Sequence, residues 1–267
     1  YLCMEFCPGG DLGTLIAAVG ALELTAICTY AADIVLGLRA IHARGYVHRD
    51  LKPANVLIDK AGHLKLADIG LSALGSAVAS ASSVCCTPDY AAPETFTGQP
   101  VGPASDFFSF GCVVYEMAHG VPPFIGRTPE EVFDKILHET PEFHATADLN
   151  DTAVDCIRRL LNTDANERLG ARGVEEVMRH PFFQPVDWEH HASQSRESLF
   201  VPELNGDDDT GYFEDGAEQR TLYMRRQSMV GGFAPPVRDF DAVVLDSLAP
   251  YTHPSQEDET SGDTEEL

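Results

Sequence analysis

Apolar positions recur at alternating three- and four-residue spacing through Leu24, Ile27, Ala31, Ile34, Leu38 and Ile41. That stripe follows the 3.6-residue period and predicts a buried helix, closed by Gly45. Phe110, Val113, Val114 and Met117 repeat the pattern up to Gly120. Thr128-Pro129-Glu130-Glu131 supplies an N-cap hydroxyl, a proline at the first helical position and a glutamate at capping-box distance. Behind it, Val132, Phe133, Ile136 and Leu137 form the expected apolar face. Val154, Ile157, Leu160 and Leu161 predict another helix, and Val174 to Arg179 a last one, stopped by Pro181. Period-two signals are shorter. Val56-Leu57-Ile58 and His63-Leu64-Lys65-Leu66 flank the turn Asp59-Lys60-Ala61-Gly62, a short hairpin. Tyr1 to Phe6 reads as a strand, and Cys7-Pro8-Gly9-Gly10-Asp11 as the turn after it. The fold class expected is mainly α with short β-hairpins. There is no internal repeat, and no apolar run of membrane-spanning length is expected.

Composition changes this picture in two places. At 267 residues and 44% hydrophobic, the chain can bury a core. Its formal charge of -24 makes nucleic acid and an anionic membrane surface poor partners. An acidic chain suits basic peptides, or is simply soluble. Much of the acidity sits late, at Asp207-Asp208-Asp209, Glu257-Asp258-Glu259 and Glu265-Glu266. The cysteines (3, 7, 28, 85, 86, 112 and 156) form no CxxC pair, and their odd number argues against a disulfide framework. They read as reduced thiols of an intracellular protein, cytoplasmic or nuclear.

The chemistry concentrates in His48-Arg49-Asp50-Leu51-Lys52-Pro53-Ala54-Asn55. One short loop carries a carboxylate, an ammonium and a carboxamide. Phosphoryl transfer needs those three groups together: Asp50 to orient a hydroxyl, Lys52 to neutralise phosphate, Asn55 to hold a metal. A second carboxylate follows at Asp68-Ile69-Gly70, and then Ala92-Pro93-Glu94. Mg²⁺ prefers oxygen ligands and phosphates, so Asn55, Asp68 and a nucleotide suffice. Taken singly, Asn55 and Asp68 are also ordinary turn residues; the joint order and spacing is what favours chemistry.

These motifs, in this order, resemble the protein kinases over residues 1 to about 190. The resemblance implies ATP and Mg²⁺ as cofactors and Ser/Thr hydroxyls of proteins as acceptors, since Lys52 two residues after Asp50 is similar to Ser/Thr kinases. Neither a Gly-rich loop, a strand lysine nor a helix glutamate precedes His48. The chain is thus expected to be a helical large lobe with the small lobe missing. Its expected parts are residues 1–10, the end of the small lobe and hinge; 11–183, the large lobe; 184–251, a tail; and 252–267, a disordered acidic end. Ser198 to Leu204 and Asp207 to Glu214 are similar to the C-terminal tail of the AGC group, nearest its microtubule-associated Ser/Thr and greatwall-type branch.

The resemblance also assigns residues. Glu5 and Cys7 would contact adenine through their backbones, with Met4 as gatekeeper, Leu57 beneath the base and Phe213 approaching from the tail. Asp11 would take the ribose or a substrate arginine, and Glu116 a basic side chain; Ala54 stands where many basophilic kinases carry Glu. Thr87, in Cys86-Thr87-Pro88-Asp89-Tyr90, should bond towards Asp50 and Lys52. Ile69 replaces the usual Phe as an apolar plug. Ser83 matches an activating phosphosite for an upstream kinase, with Arg49 as its partner; the competing reading is an unmodified serine-rich loop. Glu94 should pair with Arg168, and Asp106 should hold the backbone at His48 and Arg49. Arg225-Arg226-Gln227-Ser228 resembles a basophilic phosphorylation site, and Phe240-Asp241 a remnant of a hydrophobic motif. Two functions survive: a Ser/Thr protein kinase, inactive as this chain alone, or a catalytically dead regulatory binding fragment.

Overall fold

The helix anticipated from the first stripe spans Leu24–His42 (α2), and its inward face of Ile27, Ala31, Ile34 and Leu38 is wholly buried. The structure, a computed structural model, describes residues 3–69, 73–74, 87–143, 149–194, 198, 200–206 and 208–213, all within the first of two compact units, 1–236 and 237–267. Among these residues it is mainly helical. Before α2 stands α1 (Leu12–Val19), not anticipated from the sequence: Asp11 caps it, accepting from Thr14 N at 2.9 Å. After α2 come β1 (Tyr46–Val47), the hairpin β2 (Val56–Ile58) and β3 (Leu64–Leu66), and β4 (Ala73–Leu74). Two antiparallel two-stranded sheets result, β1 with β4 and β2 with β3, the latter in the register Leu57 opposite Lys65.

The rest is helical: α3 (Pro93–Thr97), α4 (Pro103–His119), α5 (Pro129–His138), α6 (Asp151–Leu160), α7 (Val174–Met178) and α8 (Trp188–Ala192). α4 ends where glycine allows it, at Gly120 with φ 76. Phe107, Phe108 and Phe110 are fully buried on α4, and each contributes about 1.5–3 kcal/mol by burial. α4 crosses α6 closely because Gly111 has no side chain: a Cβ there would lie 2.8 Å from Leu160 Cβ. α2 and α4 pack together at the centre, and β1 and the hairpin lie against α2.

Several expectations need correction. Residues 3–7 form no strand; the backbone there meets the hairpin only through an isolated Asp11–Leu57 bridge and bonds between Ile58 and Gly9 and Gly10. Leu137, expected on the apolar face of α5, is exposed because the helix turns Val132 and Ile136 to the core instead. The capping box at α5 closes one residue early: Thr128 Oγ1 accepts from Glu131 N, but the Glu131 carboxylate accepts from Arg127 N at 2.7 Å. Against the expectation, α2 is long and apolar enough to cross a membrane; here it is the central helix of the core.

Candidate active site

The loop from His48 to Asn55 is held from below by one carboxylate. Asp106, at the start of α4 and fully buried, accepts from His48 N at 2.8 Å and Arg49 N at 2.9 Å. His42, on the last turn of α2, reaches the same carboxylate at 2.7 Å. Arg49 sits at φ 72, a left-handed backbone that non-glycine residues adopt only when the surroundings impose it. Asp106 is what imposes it. The consequence is a reversal of the chain that brings Asp50 and Lys52 to one side.

On that side four groups meet. Lys52 Nζ lies 2.9 Å from Asp50 Oδ2 and donates to Thr87 Oγ1 at 2.7 Å. Thr87 Oγ1 in turn donates to Asp50 Oδ1 at 3.3 Å. Asn55 Nδ2 donates to Asp50 O at 2.8 Å and to Asp50 Oδ2 at 3.0 Å. Asp50 is buried and held from three directions, so its carboxylate has one orientation. The Asn55 amide nitrogen is committed to Asp50, which leaves the carboxamide oxygen as the atom for a ligand.

Asp68 is tied to the same loop by backbone. Ala67 N donates to Asn55 O at 2.9 Å, and His48 Nε2 meets Ala67 O at 3.0 Å. Asp68 itself has φ 54 and is exposed. An amide oxygen and a free-standing carboxylate are hard oxygen donors, so the residues fit Mg²⁺. Among the described residues no cluster of three His, Cys, Asp or Glu could hold a metal unaided. Ile69 is a correction: at 57% exposed it is not the buried apolar plug expected.

The hinge residues are placed as follows. Leu57 is half-buried and Cys7 buried. Burial, with Glu5 next, pushes the Cys7 thiol up. Lys65 Nζ bonds Glu5 at 2.7 Å and lies 3.7 Å from Asp59; the Glu5 bond raises the lysine. Met4 is 72% exposed, and Phe6 packs against Phe213 with ring centroids 6.2 Å apart. Asp11 caps α1: its two oxygens accept from the Thr14 amide and hydroxyl, at 2.9 and 2.8 Å. Ala54 is exposed on the loop.

The two buried pairs form as expected. Arg168 donates to Glu94 at 2.7 and 2.9 Å, and Ser105 Oγ adds a bond at 2.6 Å. Burial alone would raise the Glu94 carboxyl, but Arg168 and Ser105 outweigh it and hold it below its ordinary value. Sequence reasoning assigned Glu116 to a basic side chain but missed its pairing with Tyr90. Tyr90 donates to Glu116 at 2.7 Å, yet burial pushes Glu116 up to about 7, with Asp89 adding to the rise. It also missed the ring of His48 and the part of His42; the first lay inside the motif, the second only tertiary packing reveals. Ser83, Cys86, Gly70, Arg225 to Ser228 and Phe240-Asp241 lie outside the described residues. Arg49 Nε is buried with no hydrogen-bond partner among them.

A family model for the protein kinase domain matches residues 1–183. The chain is 35% identical to the probable serine/threonine protein kinase IREH1 of Arabidopsis thaliana over 286 residues, covering 95% of this chain and 22% of that protein. It is 37% identical to the cAMP-dependent protein kinase catalytic subunit PRKX of Mus musculus, covering 80% of this chain and 60% of that one. It is 35% identical to the serine/threonine-protein kinase CBK1 of Yarrowia lipolytica, over 80% of this chain and 45% of that protein. The chain thus spans less than two thirds of the length of each of these relatives.

Proposed function

This chain belongs to the protein kinase family, and from that premise we propose that it is the phosphotransfer lobe of a Ser/Thr protein kinase of the AGC group. The observation that carries the reading is the closed network of Asp50, Lys52, Asn55 and Thr87. Asp50 accepts the proton of a substrate hydroxyl as that oxygen becomes a nucleophile. Lys52 offers its ammonium to the transferred group, and Thr87 bonds both, accepting from Lys52 and donating to Asp50. Asn55 and Asp68 would hold Mg²⁺, which supplies charge neutralisation for the nucleotide phosphates when bound. Leu57, the backbone at Glu5 and Cys7, and Phe213 would line the base. The acceptors are Ser and Thr hydroxyls of proteins.

The AGC reading rests on the tail from Ser198 to Phe213 and on the relative named as a cAMP-dependent kinase. Arg49, with a buried and unpartnered Nε, supports a phosphate on Ser83 as its counterion. A catalytically dead binding protein is the second reading, favoured by the exposed Ile69.

The test is Asp50→Asn in a protein carrying the complete domain, assayed with radiolabelled ATP and a mixed protein substrate. Loss of transfer by about 10²–10⁴, with nucleotide binding kept, is expected. Unchanged turnover removes Asp50 as the base. Nucleotide binding without transfer by the unsubstituted protein establishes the second reading.

A further inference from the structure

Asp33 is a carboxylate on the buried side of α2, between the fully buried Ala32 and Ile34, and its own side chain is 5% exposed. The apolar stripe of α2 needs no charge there, and burying one is costly unless it is paired. Its partners come from distant elements. Oδ1 meets Nε2 of His191, a buried imidazole on α8, at 2.7 Å. Oδ2 accepts from Leu64 N on β3 at 3.1 Å. One carboxylate thus joins α2 to groups 158 and 31 positions away. Neither Asp33 nor His191 belongs to the network around Asp50.

What those elements carry gives the pair its meaning. α8 precedes the tail in the chain, and the tail meets the hairpin and the hinge. Ser198 Oγ donates to Gly62 O, in the hairpin turn, at 2.7 Å. Further on, Tyr212 is buried against Gly10: a Cβ on that glycine would lie 3.1 Å from Tyr212 Cβ. Its hydroxyl accepts from Glu203 N at 3.1 Å, and its ring stands edge-on to the buried Phe200. Phe213, the next residue, packs on Phe6. The hinge glycines are themselves bonded to the hairpin, Gly9 N to Ile58 O and Ile58 N to Gly10 O, both at 2.9 Å. Both places where the tail lands therefore ride on the hairpin that Asp33 fixes against α8. A packed apolar pair of similar volume is often as stable as a buried polar one, so what the polar pair adds is a single alignment.

We infer that Asp33 and His191 are positioning residues: their pair sets the register of the tail on the hairpin, and through it the placement of Tyr212 and Phe213 at the hinge. Its consequence for nucleotide rests on the phosphotransfer reading; the register itself does not, and is measured on the 267-residue chain. Asp33→Asn/His191→Leu strands no buried charge and keeps an acceptor for Leu64 N. In it, amide exchange over residues 200–206 and 208–213 rises about tenfold while α4 is unchanged. His191→Gln, which keeps a donor to Asp33, leaves exchange as it was. Asp33→Asn alone trades one acceptor oxygen for a donor and raises tail exchange in the same pattern, so it carries the test if the double variant fails to fold. In a protein carrying the complete domain, the double variant raises KM for ATP about fivefold at unchanged kcat, since it loosens a wall of the base site and no reacting group. Tail exchange that stays unchanged, a rise in α4 equal to that in the tail, a rise in His191→Gln, or an unmoved KM overturns the inference. Absence of phosphotransfer in the unsubstituted complete protein refutes the kinase reading instead, and exchange still decides the register.

Discussion

Single residues in this chain earn their place through the groups they leave no freedom to. Arg168 meets Glu94 at 2.7 and 2.9 Å in the core, so removing either one strands a buried charge. Glu94→Ala or Arg168→Ala should cost about 3–5 kcal/mol in urea unfolding. The pH dependence has a definite sign. Because the Glu94 carboxyl lies below its ordinary 4.5, its contribution is complete above that value. It fades as the pH falls through the depressed folded value. Glu116 runs the other way. Its carboxyl is raised to about 7, so a penalty builds as the pH climbs from ordinary glutamate territory to neutrality. Glu116→Gln, which keeps an acceptor for Tyr90, should therefore gain more stability at pH 8 than at pH 4, read as Tm. The sequence showed Glu94, Arg168 and Asp50 because motif spacing names them. It did not show the Tyr90–Glu116 pair, whose partners are 26 positions apart and meet only where α4 passes the Pro88–Tyr90 turn.

At the scale of elements, periodicity carried most of the weight. α2, α4, α5, α6 and α7 follow from apolar spacing and end signals, since a helix must bury one stripe. α1 escaped because Leu12, Leu15, Ile16 and Val19 follow a glycine-rich turn that masked the Asp11 cap. The hairpin turn shows how an element is clamped from outside. Gly62 has φ 83, and a Cβ there would fall 1.8 Å from Phe200 O and 2.3 Å from Ser198 Oγ. Ser198 Oγ bonds Gly62 O at 2.7 Å, and Phe200 is buried beside Tyr212. Gly62→Ala should thus free the segment 200–206 from the hairpin. Amide exchange in that segment should rise while exchange in α4 stays unchanged; protection equal to that of the unsubstituted chain would refute the clamp.

For the whole molecule, large apolar side chains stand exposed at Met4 (72%), Ile69 (57%) and Phe213 (48%). The residues before His48 supply no lysine for phosphate. The 267-residue chain by itself should show little or no phosphotransfer in a radiolabel assay, and robust turnover would contradict that. What the sequence by itself determined is the identity of the chemistry and the main helices, because both are written in local order: spacing sets a helix face, and a motif places three functional groups within one loop. Only the tertiary structure decided how those groups are aimed. Arg49 is forced to a left-handed backbone by Asp106, 57 positions away. Asp50 is oriented by Thr87, and Asp11 caps α1. Those outcomes depend on which distant polar groups share a buried space, where each donor must find an acceptor, and no local pattern encodes that pairing.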